Sequence, residues 1–510
     1  VNAGTPSVAD AVTVGHRRIM CRVPTTDLVD VVQTLLTQGM RLALVSGHDD
    51  GAELRAVYLF TAGPPDHRVE LHVTLNPDRP EVPSLAELSF PASRFERELA
   101  DLFGIVPIGH PQPRRLVLHQ HWPDGWHPMR NGVGSTPELA ADGRTYPFVP
   151  VEGTGVYEIP VGPVHAGLIE PGHFRFWVVG ETILRMKARL WFVHKGIERH
   201  LQGQDAHNGL ALAERISGDT AVGHSLAFCQ AVEDAGNIPV SANANILRAT
   251  LAELERLYNH VADIGALCND VGFGLGQAWA LDLREQLLRI NRATTGHRLL
   301  RGGVTIGGAS VRSLPTTADL KAIAERFDEL VRVATSSALV MDRFAGAAVL
   351  DESHAIELGV VGVTGRASGL SFDARVAHPF TTPFESFSPA VHHGGDVAAR
   401  FNVRVDEART SLALLDHYTE SAGPLHDVTP DLGLRSGQLR AGGVGIAEAW
   451  RGVIVHRVEL DDTGRLGRVK IVDPSFLNWP ALPVSLADTI VPDFPLANKS
   501  FNLSYAGNDL

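Results

Sequence analysis

Residues 214–225 read Glu-Arg-Ile-Ser-Gly-Asp-Thr-Ala-Val-Gly-His-Ser. Ser217, Asp219, Thr220 and His224 put two hydroxyls, a carboxylate and an imidazole into one short stretch. Such a set can form a hydrogen-bonded pocket that carries protons or holds a small acceptor. The competing interpretation is that small side chains fill a space that packing would not leave empty. Asp219 favours the pocket, because an unpaired buried carboxylate is costly. His194 and Glu198, four positions apart, are predicted on one helix. They form either a surface pair or, if buried, an imidazole beside a carboxyl whose raised pKa suits proton relay. Glu170, His173 and Arg175 form a third cluster, in which a structural turn pairing Arg175 with Glu170 is expected, with a contact to a partner protein second.

The bulk properties restrict the classes of function. The chain has 510 residues, 44% of them hydrophobic, and a formal net charge of −13, enough for two or three domains with real cores. The negative balance and the absence of a dense Lys/Arg stripe argue against a nucleic-acid binder. No apolar run is long enough to cross a bilayer, and the first twenty residues hold no apolar signal core. The chain is therefore expected in the cytosol or, docked on a membrane protein, as a peripheral component on the cytoplasmic side of a membrane. The three cysteines, Cys21, Cys229 and Cys268, are far apart. Iron–sulfur clusters and thiolate metal sites need closely spaced thiolates, so buried apolar packing is expected for all three.

The elements follow from periodicity. Alternation in 42–45, 54–60 and 70–75 predicts strands, and 27–38 a helix stopped by Gly39. A small α+β domain is expected over 1–122, a Pro/Gly-rich linker over 123–150, and a second domain over 151–510. In the second domain Ile183, Met186, Leu190, Val193, Ile197 and Leu201 predict one amphipathic helix. Leu247 to Leu267, Leu320 to Leu330 and Val405 to Leu415 predict three more, hence a bundle. Alternation over 452–460 and 468–472, with Asp461-Asp462-Thr463-Gly464 between, predicts an appended β-hairpin. The fold class is α+β: a small α+β domain, then a mainly helical bundle with appended hairpins. Gly272, Gly274 and Gly276 lack the preceding strand a dinucleotide loop needs, and His392-His393 lacks metal-ligand spacing.

Two longer motifs carry a resemblance. Residues 90–105 (Phe-Pro-Ala-Ser-Arg-Phe-Glu-Arg-Glu-Leu-Ala-Asp-Leu-Phe-Gly-Ile), with Gly109-His110-Pro111 and Arg114-Arg115-Leu116, resemble the signature of the C component of NADH:quinone oxidoreductase, respiratory complex I. Gly162-Pro163-Val164-His165-Ala166-Gly167, Glu170 to Phe176, His194 to Glu198, Arg301 to Val304, Gly362 to Gly365 with Ser368-Gly369, and Val403 to Glu407 resemble the D component of that complex and the large subunits of energy-converting nickel–iron hydrogenases. A fusion of the C-like and D-like parts is similar to the formate hydrogenlyase and hydrogenase-4 type of large subunit.

The departures from that family shape the expectations. The nickel enzymes hold their metals through two Cys-x-x-Cys pairs. Here the first pair aligns with Ser217 and Thr220, and the second falls near Ser504 and Gly507. A hydroxyl does not replace a bridging thiolate for soft metals, so no nickel–iron centre is expected and these positions count as degenerate ligand positions. The quinone-binding Tyr of the complex I D component aligns with Gly218 and a His with Ile169, while His165 and His224 match family histidines. The resemblance thus implies a cavity with a rewired lining at His165, Gly218 and Thr220, with quinone as one acceptor it allows. It implies catalytic roles for Glu198, His224, Asp219 and His194, Glu198 on a proton path. It further implies a small iron–sulfur subunit as electron donor and membrane-embedded ion-translocating subunits as partners. Two functions remain open: an electron-transfer subunit of a complex-I-like or hydrogenase-4-like oxidoreductase, and a non-catalytic scaffold coupling the iron–sulfur subunit to the membrane subunits. Hydrogenase activity itself is not expected.

Overall fold

A computed structural model describes residues 11–139, 143–165, 169–383, 386–429 and 442–510. Ala166 and Gly167 of the histidine hairpin lie outside them. The first part is a five-stranded sheet in which Arg41–Asp49, Leu54–Ala62 and His67–Leu75 are antiparallel neighbours and Arg18–Arg22 pairs parallel to His67–Leu75. Helix Leu28–Thr37 begins at Asp27, as the sequence predicts. Helix Phe90–Phe103 contains most of the C-like motif. It ends at Gly104, whose φ of 72° is the left-handed conformation that glycine adopts without strain.

The predicted helices at 247–267, 320–330 and 405–415 are present as Ala242–Asp270, Thr317–Thr335 and Val397–Ser421. Leu247, Leu251, Leu254, Leu257, Val261, Ile264 and Leu267 are fully buried and share one apolar cluster with Leu320, Phe327, Val405 and Leu415. At about 1.5–3 kcal/mol for each large side chain removed from water, this stripe is what holds the bundle together. The predicted hairpin is the last two strands of a three-stranded sheet, Gly443–Ala449, Gly452–Leu460 and Leu466–Val472.

The helix expected across 183–201 does not form. Thr182–Arg189 is a strand antiparallel to His173–Val179, and only Ile197–Leu201 is helical. A register shift between Ile183 and Arg185 adds one residue to the strand. Ile183 and Met186 therefore both face the core three positions apart, which imitates a helical period. Gly196, at φ 68°, breaks the chain before the short helix, so His194 and Glu198 do not share a helix.

The C-terminal sheet joins the two parts of the molecule. Val444, Ile446, Val453, Val455 and Val472 belong to one apolar cluster with Phe60, Phe95 and Leu99 of the first part and Phe174 and Phe176 of the second. Its opposite face takes helix Ala221–Gly236. Ionic contacts reinforce the junction: Glu70, fully buried, lies 2.7 Å from both Arg18 and Arg457. A Cβ at Gly445 would fall on the carbonyl oxygen of Ala227. Gly445→Ala is therefore expected to force sheet and helix apart at a cost of about 1–3 kcal/mol or more, read as a lowered midpoint in chemical denaturation.

Candidate functional site

Helix Ala221–Gly236 begins immediately after the 217–220 loop. Two of its first backbone N–H groups, Val222 at 2.7 Å and Gly223 at 2.9 Å, donate to the carboxyl of Glu255 on helix Ala242–Asp270. That pair of bonds fixes the loop against the bundle. The main-chain oxygen of Asp219 accepts from Asn259 Nδ2 at 2.8 Å, Trp450 Nε1 at 3.0 Å and Tyr258 OH at 3.2 Å. Every neighbouring element therefore sets the position of this one loop.

Ser217, Thr220, Ser504 and Gly507 converge. The hydroxyls of Ser217 and Ser504, 287 residues apart in sequence, are 2.8 Å from each other. Ser504 caps helix Tyr505–Asp509 by accepting from Gly507 N at 2.8 Å. A Cβ at Gly507 would touch the carboxylate of Asp473, which lies 3.0 Å from His224 Nε2. His224 Nδ1 is in turn 3.1 Å from His456 Nε2.

The centre of this space holds an ion pair. Arg451 reaches Asp219 with both ends of its guanidinium, Nη1–Oδ1 at 2.7 Å and Nη2–Oδ2 at 2.8 Å. The hydroxyls of Ser217 (3.0 Å) and Thr220 (2.9 Å) donate to the same carboxylate. Arg451, with the hydroxyls, holds the Asp219 carboxyl well below the usual range, overriding the opposing effect of burial. Asp219 is thus paired, and Ser217 and Thr220 join it as polar partners, whereas His224 bonds Asp473 and His456 instead. Gly218 contributes no donor: it is exposed, and a Cβ there would meet no atom within 4 Å.

The residues present do not fit a thiolate-bridged nickel–iron pair. The three positions with side chains offer only hydroxyls, Gly507 offers none, and the guanidinium of Arg451 adds a positive charge 3.2 Å from the Thr220 hydroxyl. The three cysteines are buried elsewhere, and burial pushes the Cys229 thiol far up.

Other predicted residues sit nearby in different roles. His165 donates from Nε2 to the carbonyl of Gly172 at 2.7 Å and closes its own hairpin. Glu170 accepts from Ala506 N at 3.1 Å, and Gly172 packs on Tyr505, so this hairpin rests on the helix that Ser504 caps. The expected Glu170–Arg175 pair is absent: Arg175 binds Glu158 at 3.1 Å and covers the ring of Phe148. His194 donates from Nδ1 to Asp509 O at 2.6 Å.

Glu198 is buried, but its carboxyl is not raised. Although burial pushes it up, Arg468 at 2.8 Å and Lys470 at 3.2 Å bring it down to about 2. Lys470 also binds Glu98 of the first part at 2.6 Å, and there burial wins and the carboxyl is raised. The expectation that burial would prepare Glu198 for proton relay is therefore corrected: two cations hold it ionised.

Arg451 and Glu255 are functional candidates that the residue patterns did not single out. Arg451 sits at the tip of a two-residue hairpin between Ala449 and Gly452, and only Gly452 hints at that turn. Glu255 lies in a helix whose buried surface takes in Glu253, Arg256, His260 and Asp263 as well as the leucines. Burial raises its carboxyl to about 8, against the two backbone N–H bonds.

The chain is similar to several known proteins. The family described as respiratory-chain NADH dehydrogenase, 30 Kd subunit, matches residues 21–137; the 49 Kd subunit family matches 270–432; nickel-dependent hydrogenase matches 195–268. Formate hydrogenlyase subunit 5 of Escherichia coli (strain K12) is 32% identical over 464 residues, covering 86% of this chain and 79% of that protein. Hydrogenase-4 component G of the same strain is 32% identical over 441 residues, covering 85% and 76%. The C/D subunit of NADH-quinone oxidoreductase from Phocaeicola vulgatus is 30% identical over 375 residues, covering 68% and 71%. A chain of the membrane-bound sulfane sulfur reductase, an archaeal respiratory membrane complex, shares the fold with a TM-score of 0.64 at 23% identity, over 71% of this chain and 100% of that one.

Two measurements check the electrostatics. The folded chain holds the Glu255 proton up to about pH 8, whereas the unfolded chain releases it near 4.5. The folded state therefore binds more protons across that window. Stability is expected to fall as pH rises from about 4.5 to about 8, by up to about 1.4 kcal/mol per pH unit, and Glu255→Gln should flatten that slope in urea titrations at several pH values. For the ion pair, a double-mutant cycle of Asp219→Ala with Arg451→Met should give a coupling of about 1–2 kcal/mol, limited by the partial exposure of Asp219.

Proposed function

Since this chain belongs to the family of formate hydrogenlyase subunit 5, hydrogenase-4 component G and the fused C/D subunit of NADH-quinone oxidoreductase, we propose that it is the electron-accepting subunit of a membrane-associated oxidoreductase complex whose centre works without nickel and iron. The observation that carries this reading is the convergence of Ser217, Thr220, Ser504 and Gly507 around Asp219 and Arg451. The frame of a redox centre is retained, with polar groups in place of thiolates. No helix among the described residues is long and apolar enough to cross a membrane, which suits a subunit that docks on membrane-embedded, ion-translocating partners.

In this reading electrons arrive from a cluster in a small iron–sulfur subunit at the face formed by the 162–176 hairpin and the 217–220 loop. The acceptor is a diffusible molecule, such as a quinone, that takes up protons with its electrons. Arg451 supplies the positive charge that steadies a reduced, anionic acceptor. Glu255, protonated at neutral pH and next to the loop, supplies a proton. His224, between Asp473 and His456, carries a replacement inward. Glu198 anchors Arg468 and Lys470 at the junction with the first part of the chain.

A second reading, the non-catalytic scaffold, has its own observation: the Asp219–Arg451 fork is complete within the chain and needs no ligand. Turnover of the intact complex separates the two. Glu255→Gln is expected to lower it by about tenfold or more, about 1.4 kcal/mol in barrier, and unchanged turnover would establish the scaffold. Metal analysis of the purified complex is expected to find no nickel stoichiometric with this chain; one equivalent would overturn the nickel-free centre under either reading.

A further inference from the structure

A cavity of about 360 Å³ opens between the first turns of helix Phe90–Phe103, the 110–116 loop, Tyr146 and strand Thr182–Arg189. Arg94, Arg97, Lys187 and Arg189 all line it. Elsewhere the buried guanidiniums of Arg18, Arg366, Arg451 and Arg457 each face a carboxylate. Here, among the described residues, none of the four cations has a carboxylate within ion-pair distance.

Their hydrogen bonds go to neutral oxygens instead. Arg97 donates to the carbonyls of Arg114 at 2.7 Å and Arg115 at 3.0 Å. Arg189, only 5% exposed, donates to the carbonyls of Leu116 and Leu118, and Arg94 donates to Asn508 Oδ1 at 3.2 Å. The Nε–H groups of Arg94 and Arg189 are buried without a partner. The nearby carboxylate of Asp101 is already engaged by the backbone N–H groups of Leu116, Val117 and Leu118. Burial, with repulsion between neighbouring guanidiniums, draws the three arginines down, Arg189 to about 10 and Arg94 to about 9. Flat aromatic walls complete the cavity: the Arg94 guanidinium lies over the rings of Trp191 and Phe476, and that of Arg189 over Tyr146.

Four convergent cations with no carboxylate in direct contact, spare donors and aromatic faces describe a receptor for an anion. We propose that this cavity binds an oxyanion, a phosphate or carboxylate head carried on a planar or apolar body. The oxyanion accepts from Arg94, Arg97 and Lys187 against the fixed charge of Arg189, and the body lies along Tyr146 and Trp191. The site is separate from the 217–220 loop. It touches that loop's surroundings through Asn508, on the helix that Ser504 caps, and through Trp479, which donates from Nε1 to Ser504 O at 3.2 Å, but it shares no residue with the loop, so it stands whether or not the redox reading does.

The test uses the full chain with phenyl phosphate as the soluble probe and potassium chloride at equal ionic strength as the control, read by calorimetry and thermal melting. One saturable site is expected, with a rise in melting temperature that chloride does not give. Lys187 lies on an exposed stretch of strand, so Lys187→Met should fold normally and bind about tenfold more weakly. Arg97→Gln should weaken binding likewise, and Arg79→Gln, at an exposed pair with Glu81, should not. Vesicles containing phosphatidic acid separate a lipid head group from a free ligand: binding to vesicles alone assigns the oxyanion to lipid, and binding of phenyl phosphate assigns it to a soluble molecule. Absence of saturable binding to both probes, or binding unaltered in Lys187→Met and Arg97→Gln, would overturn the proposal.

Discussion

The pairing of Arg451 with Asp219 is the interaction around which the centre of this molecule is organised. It places one positive and one negative charge beside the contact between Ser217 and Ser504, and the hydroxyls of Ser217 and Thr220 donate to its carboxylate. A soft cation has no donor there and meets a guanidinium instead. Arg451 comes from the tip of the hairpin Gly443–Leu460, Asp219 from the loop before helix Ala221–Gly236. The pair therefore also fixes the C-terminal sheet onto the helical bundle.

From that sheet the same logic extends to the first part of the chain. Glu70 sits between Arg18 and Arg457, and Glu198 between Arg468 and Lys470, with Lys470 shared by Glu98. Buried pairs of this kind add little net stability over well-packed apolar residues, but losing one partner is severe, commonly about 3–5 kcal/mol. Their effect is to make the relative placement of the two parts all-or-none.

Two buried carboxyls illustrate how burial and pairing compete. Glu198 and Glu255 are both fully enclosed carboxyls. Cations beside Glu198 overcome the desolvation and keep it ionised. At Glu255 burial outweighs the backbone N–H bonds of Val222 and Gly223 and the charge of Arg256, and the Asp219 carboxylate adds to it, so desolvation prevails. Burial alone does not assign a role; the charges around the group do.

Much of this was legible in the residue order. The leucine spacing of helices Ala242–Asp270 and Val397–Ser421, the strand alternation of the first sheet and the hairpin turn at Asp461 to Gly464 are local patterns, and local patterns survive into the fold because each is dictated by one face being buried. The family frame, the missing thiolates and the polar character of Ser217, Asp219, Thr220 and His224 are likewise properties of the chain as written. What the tertiary structure decided is everything that depends on which residues meet. The bulge after Ile183 turned an apparent helix into a strand. Arg451 reached Asp219 across 232 positions, Ser504 reached Ser217 across 287, and the cations of Arg468 and Lys470 reversed the expected protonation of Glu198. The reason is physical. Periodicity records burial, which a sequence repeats many times over, whereas an ion pair is a single meeting of two side chains that leaves no periodic mark on either.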